Sequence, residues 1–114
     1  MNKQKTLLPT LKEGHRYLVY EVKYGKSLNF GKVHSSVLDQ CGKMLGVFDG
    51  AAAGIMSAKY NTDKSRGILR VNSKYVDKLK VCLGMIKTVD NKDVIVDCVY
   101  VSGMLNKAAE RMDA

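Results

Sequence analysis

From His15 to Tyr24 apolar and polar positions follow the two-residue period of a strand. Leu18, Tyr20 and Val22 fall on one face, and Tyr17, Val19 and Glu21 on the other. Gly25 breaks that strand, and Ser27 or Asn29 is placed to cap a helix after it. Phe30, Val33, Val37, Leu38, Cys41, Met44 and Leu45 then recur at helical spacing and form one apolar stripe. Gly42 weakens this helix and Gly46 terminates it, so that 46–54, rich in Gly and Ala, reads as a connection. Ile55 to Tyr60 and Arg66 to Val71 read as two strands joined by the polar turn 61–65, a hairpin. Asn72 or Ser73 caps a second helix with Val76, Leu79, Leu83 and Ile86 along its buried stripe, Tyr75 and Cys82 beside it. Asp90-Asn91 marks a turn. Val94 to Val101 is a fourth strand, apolar on both faces except at Asp97, which predicts a central or covered position. Ser102 caps a last helix, Gly103 to Met112, with Lys107 and Arg111 toward its negative end.

The order strand, helix, strand, strand, helix, strand is that of the split βαβ unit. It predicts an α+β fold, a ferredoxin-like or RRM-like two-layer sandwich: a four-stranded antiparallel sheet, two helices packed on one face, and an added C-terminal helix. One domain is expected over the 114 residues. It divides into a basic arm over 1–14, a core over 15–101 and the terminal helix over 102–114.

Composition changes this picture in two ways. Nineteen Lys and Arg stand against eleven Asp and Glu, giving +8, the electrostatic footprint of a nucleic-acid binder. Cys41, Cys82 and Cys98 are an odd number with no close pair, which argues for buried thiols in a reducing compartment and against a disulfide framework. No signal peptide opens the chain, and the longest uncharged apolar stretch, Gly50 to Ala58, is too short to span a bilayer. A cytoplasmic location is expected.

Enzyme chemistry is poorly represented. His15 and His34 lack a carboxylate at a spacing that suggests a dyad or triad, and no zinc-like Cys/His spacing or phosphate-binding Gly-rich loop occurs. Asp90, Asp93 and Asp97 invite a magnesium reading, but one lies in a turn and another within a strand. No catalytic residue and no metal site is therefore expected. The third strand, Arg66-Gly67-Ile68-Leu69-Arg70-Val71, keeps the basic-Gly opening of an RRM motif but has aliphatics where stacking rings belong. Candidate RNA-binding residues are Lys5, Lys12, Arg16, Lys64, Arg66, Arg70, Lys107 and Arg111. Arg66 and Arg70 share a strand face and are expected to look out across an open sheet; the structural alternative pairs Arg70 with Asp97.

Three segments carry a family resemblance: Leu8-Pro9-Thr10-Leu11-Lys12 followed by Arg16-Tyr17-Leu18, the third strand Arg66 to Val71, and Val101-Ser102-Gly103 followed by Lys107-Ala108. In order and spacing they resemble the small ribonuclease P proteins of archaea and eukaryotes, the Pop-five family or ribonuclease P protein component 2. The sequence departs from that pattern at Gly14 and His15, where basic residues are expected, and at Met104, where threonine is usual. The resemblance implies an RNA-binding subunit that carries no catalyst. Its partners would be the ribonuclease P RNA, precursor tRNA indirectly, other ribonuclease P proteins, and a barrel-shaped one that forms a heterotetramer around two copies of the small subunit. It also implies that the magnesium ions belong to the RNA and that the protein binds no cofactor. Two readings compete with it: a dimeric ferredoxin-like module binding a small metabolite at the 46–54 segment, and a stand-alone nuclease, for which the residues are lacking.

Overall fold

Alternation in the first strand produces what it predicts. In the computed structural model, which describes residues 14–23 and 29–114, β1 (His15–Lys23) buries Leu18, Tyr20 and Val22 against two helices. Val19 is buried on the opposite face. The N-terminal arm with Lys5 and Lys12, the break at Gly25 and the alternative cap Ser27 lie outside the described residues.

Asn29 starts α1 (Phe30–Ala53), its Oδ1 accepting from the backbone N–H of Gly31 at 2.9 Å and of Lys32 at 3.4 Å. Two of the four N–H groups left over at a helix start are thereby satisfied. Gly46 does interrupt the helix, with φ 82° and ψ −175°, a left-handed conformation that suits glycine. The expectation that 46–54 is an irregular connection is corrected, because helical structure resumes beyond the kink and runs to Ala53. Three consecutive alanines favour helix over every other state, and Gly54 (φ 57°) closes it, donating to the Gly50 carbonyl at 3.2 Å.

β2 (Met56–Asn61) and β3 (Arg66–Asn72) form the predicted hairpin. Asn72 caps a short 3-10 turn, Ser73–Tyr75, that leads into α2 (Val76–Met85), which buries Leu79, Cys82 and Leu83. The Asp90-Asn91 turn joins two-residue strands β4 (Thr88–Val89) and β5 (Lys92–Asp93); both turn residues have positive φ, as a tight hairpin requires. β6 (Ile95–Ser102) completes a four-stranded antiparallel sheet in the order β2-β3-β1-β6. β6 is thus an edge strand in hydrogen bonding, yet helices lie over both of its faces, which explains its apolar run. No helix among the described residues is long and apolar enough to cross a membrane.

α3 (Leu105–Asp113) begins two residues after the predicted start, with the Ser102 hydroxyl accepting from the Met104 N–H. It packs Ala108 and Met112 on Val19 and Ile68, on the sheet face opposite α1 and α2. The sheet is consequently covered on both sides across its centre. This overturns the open-sheet expectation for Arg66 and Arg70, and the physical reason is Val19 and Ile68. Two aliphatics on that face offer about 1.5–3 kcal/mol each when covered, more than an exposed sheet would retain.

The core holds one polar network. The Tyr20 hydroxyl bonds His34 Nδ1, and His34 Nε2 bonds Ser57 Oγ at 2.6 Å. A neutral imidazole satisfies both, one nitrogen donating and the other accepting. Burial lowers the His34 pKa, which keeps it neutral, and drives the Tyr20 hydroxyl far above its usual range. Burial, with Cys82 second, pushes the Cys41 thiol up to about 12. All three cysteines are free, Cys41 and Cys82 buried and Cys98 half-buried, and each has a raised pKa. They behave as small apolar side chains with little thiolate character.

Candidate nucleic-acid interface

The basic residues singled out from the sequence divide into two groups, those built into the fold and those left on its surface. Arg66 is largely buried. Its Nη1 donates to the Arg111 carbonyl at 3.0 Å, in the last turn of α3, and its Nε lies 3.8 Å from a Glu21 carboxylate oxygen across the β1–β3 pair. A cation on the terminal carbonyls of a helix is favourably placed against its dipole. Arg70 directs Nη2 to the His15 ring at 3.0 Å. The alternative pairing with Asp97 also fails, because β1 separates β3 from β6 and Asp97 binds Lys23 at 3.2 Å instead. Arg16 donates to the His15 carbonyl at 2.9 Å and lies beside Gly103.

Lys64, Lys107 and Arg111 are exposed. Lys64 sits in the β2–β3 turn, where its N–H donates to Asn61 Oδ1 at 3.2 Å; Asn61 in turn donates to Asp113 Oδ1 at 2.7 Å. That bond ties the hairpin turn to the end of α3. Lys107 and Arg111 are one helical turn apart on α3, and the Arg111 guanidinium stands 5.0 Å from the centre of the Tyr100 ring on β6. The structure therefore gathers Arg66, Lys107 and Arg111 around α3, with Lys64 on the turn to which its end is tied, and holds Arg16, Arg70 and His15 toward the opposite end of the sheet.

Tyr100 was not singled out by sequence reasoning, because a tyrosine in an apolar strand reads as core. The apolar surface on α1 and α2 was missed as well. Val47 and Phe48, just beyond the kink, are 84% and 88% exposed. Beside them Met44, Leu45, Val81, Cys82 and Met85 line a groove of about 400 Å³, rimmed by Asp49 and Lys78. The two charges at its rim neutralise each other, Asp49 pairing with Lys78 at 3.4 Å. The available signal was Phe48 itself, a large aromatic in a segment otherwise small or polar.

Among the described residues no group of three or more His, Cys, Asp and Glu side chains is close enough to hold a metal ion. Asp97 is half exposed and occupied by Lys23.

Comparison with known proteins agrees with this architecture. The family model described as "Rpp14/Pop5 family" matches residues 16–112. A Methanocaldococcus jannaschii protein named ribonuclease P protein component 2 is 33% identical over 104 residues, covering 91% of this chain and 76% of that protein. Its Pyrococcus abyssi namesake is 28% identical over 109 residues, 96% of this chain and 92% of that protein. Among solved structures, a chain in the cryo-EM structure of yeast ribonuclease MRP superposes with a TM-score of 0.60 at 14% identity. It covers 82% of this chain and 76% of that one, a likeness of fold. With a two-layer sheet, basic residues gathered around α3 and a family match that spans nearly all of its length, this chain belongs to the Rpp14/Pop5 family of ribonuclease P protein subunits.

Proposed function

We propose that the chain is a non-catalytic, RNA-binding subunit that supports the ribonuclease P RNA while that RNA removes the 5′ leader from precursor tRNA. The observation that carries this reading is the family match over residues 16–112, supported by the +8 charge. In this reading phosphodiester hydrolysis and its magnesium ions belong to the RNA, and the protein binds no cofactor. Its part is to neutralise phosphate and favour the active RNA fold. The reading places it in the cytoplasm, in keeping with three free thiols.

The neutral apolar face of α1 and α2 is assigned to protein partners: the barrel-shaped subunit and a second copy of this chain, joined in a heterotetramer. An exposed aromatic beside an apolar groove with self-paired charges suits a protein surface and offers little to phosphate. The competing metabolite-binding module loses its main support, since the segment it needed as a ligand loop is helical up to Ala53.

The experiment is a salt titration of binding to ribonuclease P RNA. Affinity is expected to fall by about 100-fold or more between about 50 and 200 mM monovalent salt, because each neutralised phosphate releases counterions. Affinity that stays constant over that range contradicts the electrostatic reading.

A further inference from the structure

We propose that the groove between β6 and α3 is a subsite for one unpaired nucleotide, its base stacked on the Arg111 guanidinium and its phosphate at Lys107. The proposal rests on the RNA-binding reading and specifies where and how the RNA is held.

Strand pairing fixes the platform. Tyr100 lies opposite Val19 in the β1–β6 register, on the face that α3 covers. Ala108 and Met112 anchor α3 to that face, which leaves Lys107 and Arg111 exposed along its flank. The guanidinium at 5.0 Å from the Tyr100 ring centre is supported on one side by the aromatic face. Arg111, exposed, and Tyr100 together line a groove of about 370 Å³ with Lys107, Glu110 and Ala114. A planar cation backed by a ring is a surface on which a nucleobase stacks, a geometry that an ammonium group cannot reproduce. Lys107, one turn back, supplies a point charge for a single phosphate.

Glu110 decides between two kinds of RNA. A carboxylate in the groove repels a continuous row of phosphates, as a duplex would present, but accepts a hydrogen bond from a base amino group. The groove therefore suits a base turned out of its stack. Arg111 is also separable from the fold, because Arg66 holds its backbone carbonyl and not its side chain.

The test uses the full chain and two labelled probes, a short mixed-sequence single-stranded RNA and a duplex RNA of the same length, read by fluorescence anisotropy. Arg111→Ala is expected to weaken single-strand binding about tenfold while duplex affinity changes by less than about threefold. Arg111→Lys keeps the charge and is expected to lose most of the same affinity with the salt dependence unchanged. Full affinity in Arg111→Lys, or equal weakening toward the duplex, overturns the subsite and leaves plain phosphate contact. Wild-type protein that binds neither probe nor ribonuclease P RNA overturns the RNA-binding reading itself.

Discussion

Replacing Gly67 with alanine is expected to destabilise the fold by about 3 kcal/mol, the upper part of the range for forcing extra atoms into a packed core. A Cβ at this position would stand 2.6 Å from the Tyr20 hydroxyl oxygen, 2.7 Å from His34 Nδ1 and 2.8 Å from a Tyr20 ring carbon. None of these atoms has room to withdraw. Tyr20 is fully buried, pairs directly with Gly67 across β1 and β3, and is hydrogen-bonded to His34. His34 is held in turn by Ser57 and packs in a cluster of three rings with Tyr20 and Phe30. The new methyl group must either open the sheet or break the network, and a broken network leaves buried polar atoms unsatisfied. Thermal denaturation followed by circular dichroism should show the midpoint falling by roughly 10–20 °C. Gly84→Ala is the control: nothing lies within 4 Å of its added Cβ, and it sits in the exposed part of α2. That variant should match or slightly exceed the wild type. Equal midpoints for the two variants would mean that Tyr20 does not pack on Gly67 as described.

The double substitution Arg66→Ala with Arg70→Ala is expected to lower stability by about 2 kcal/mol, on the scale of lost charge-assisted hydrogen bonds. Read from strand alternation alone, the pair faces solvent and its removal leaves the melting temperature nearly unchanged. With α3 in place the expectation reverses. Arg66 joins the last turn of α3 to β3 and stands beside Glu21, and Arg70 closes on His15. Loss of Arg66 frees the C-terminal end of α3, exposing part of Met112 and Ile68. Hydrogen exchange should therefore speed up first in α3, ahead of α1 and α2. A normal melting temperature combined with a strong loss of RNA affinity would return both arginines to a free RNA surface.

Legibility differed from one element to another for physical reasons. The alternation in β1, the Asn29 cap and the stripe of α2 are local properties, fixed by neighbours in the chain, and they were readable. The four-stranded antiparallel sheet with two helices on one face followed from the order of elements through the split βαβ rule. Gly46 was correctly seen as a break, but a break in a helix and the end of a helix look alike from one glycine. The Ala-rich sequence beyond it decides between them. The position of α3 was not readable. Its inward side is Leu105, Ala108, Ala109 and Met112, two alanines flanked by Leu and Met, and nothing local says which face of the sheet it covers. Val19 and Ile68, two aliphatics on the face taken to be open, were the clue. The candidate site inherits that gap. Lys64, Lys107 and Arg111 are exposed as expected of phosphate contacts, whereas Arg66 and Arg70 are drawn into the fold by a helix distant in sequence. Tyr100 enters the site for the same reason.

The central claim is that this chain supports an RNA catalyst and supplies no catalytic group. The most direct measurement is 5′ leader removal from precursor tRNA by ribonuclease P RNA at limiting magnesium. It compares the RNA alone, the RNA with the proposed barrel-shaped partner, and the RNA with that partner and the chain, using either wild type or Phe48→Asp. Wild-type chain is expected to raise the rate. Phe48→Asp should still bind RNA but lose the gain that needs the partner, and chain without RNA should cleave nothing. A cleavage rate indifferent to the chain, or cleavage by the protein without RNA, would contradict the claim.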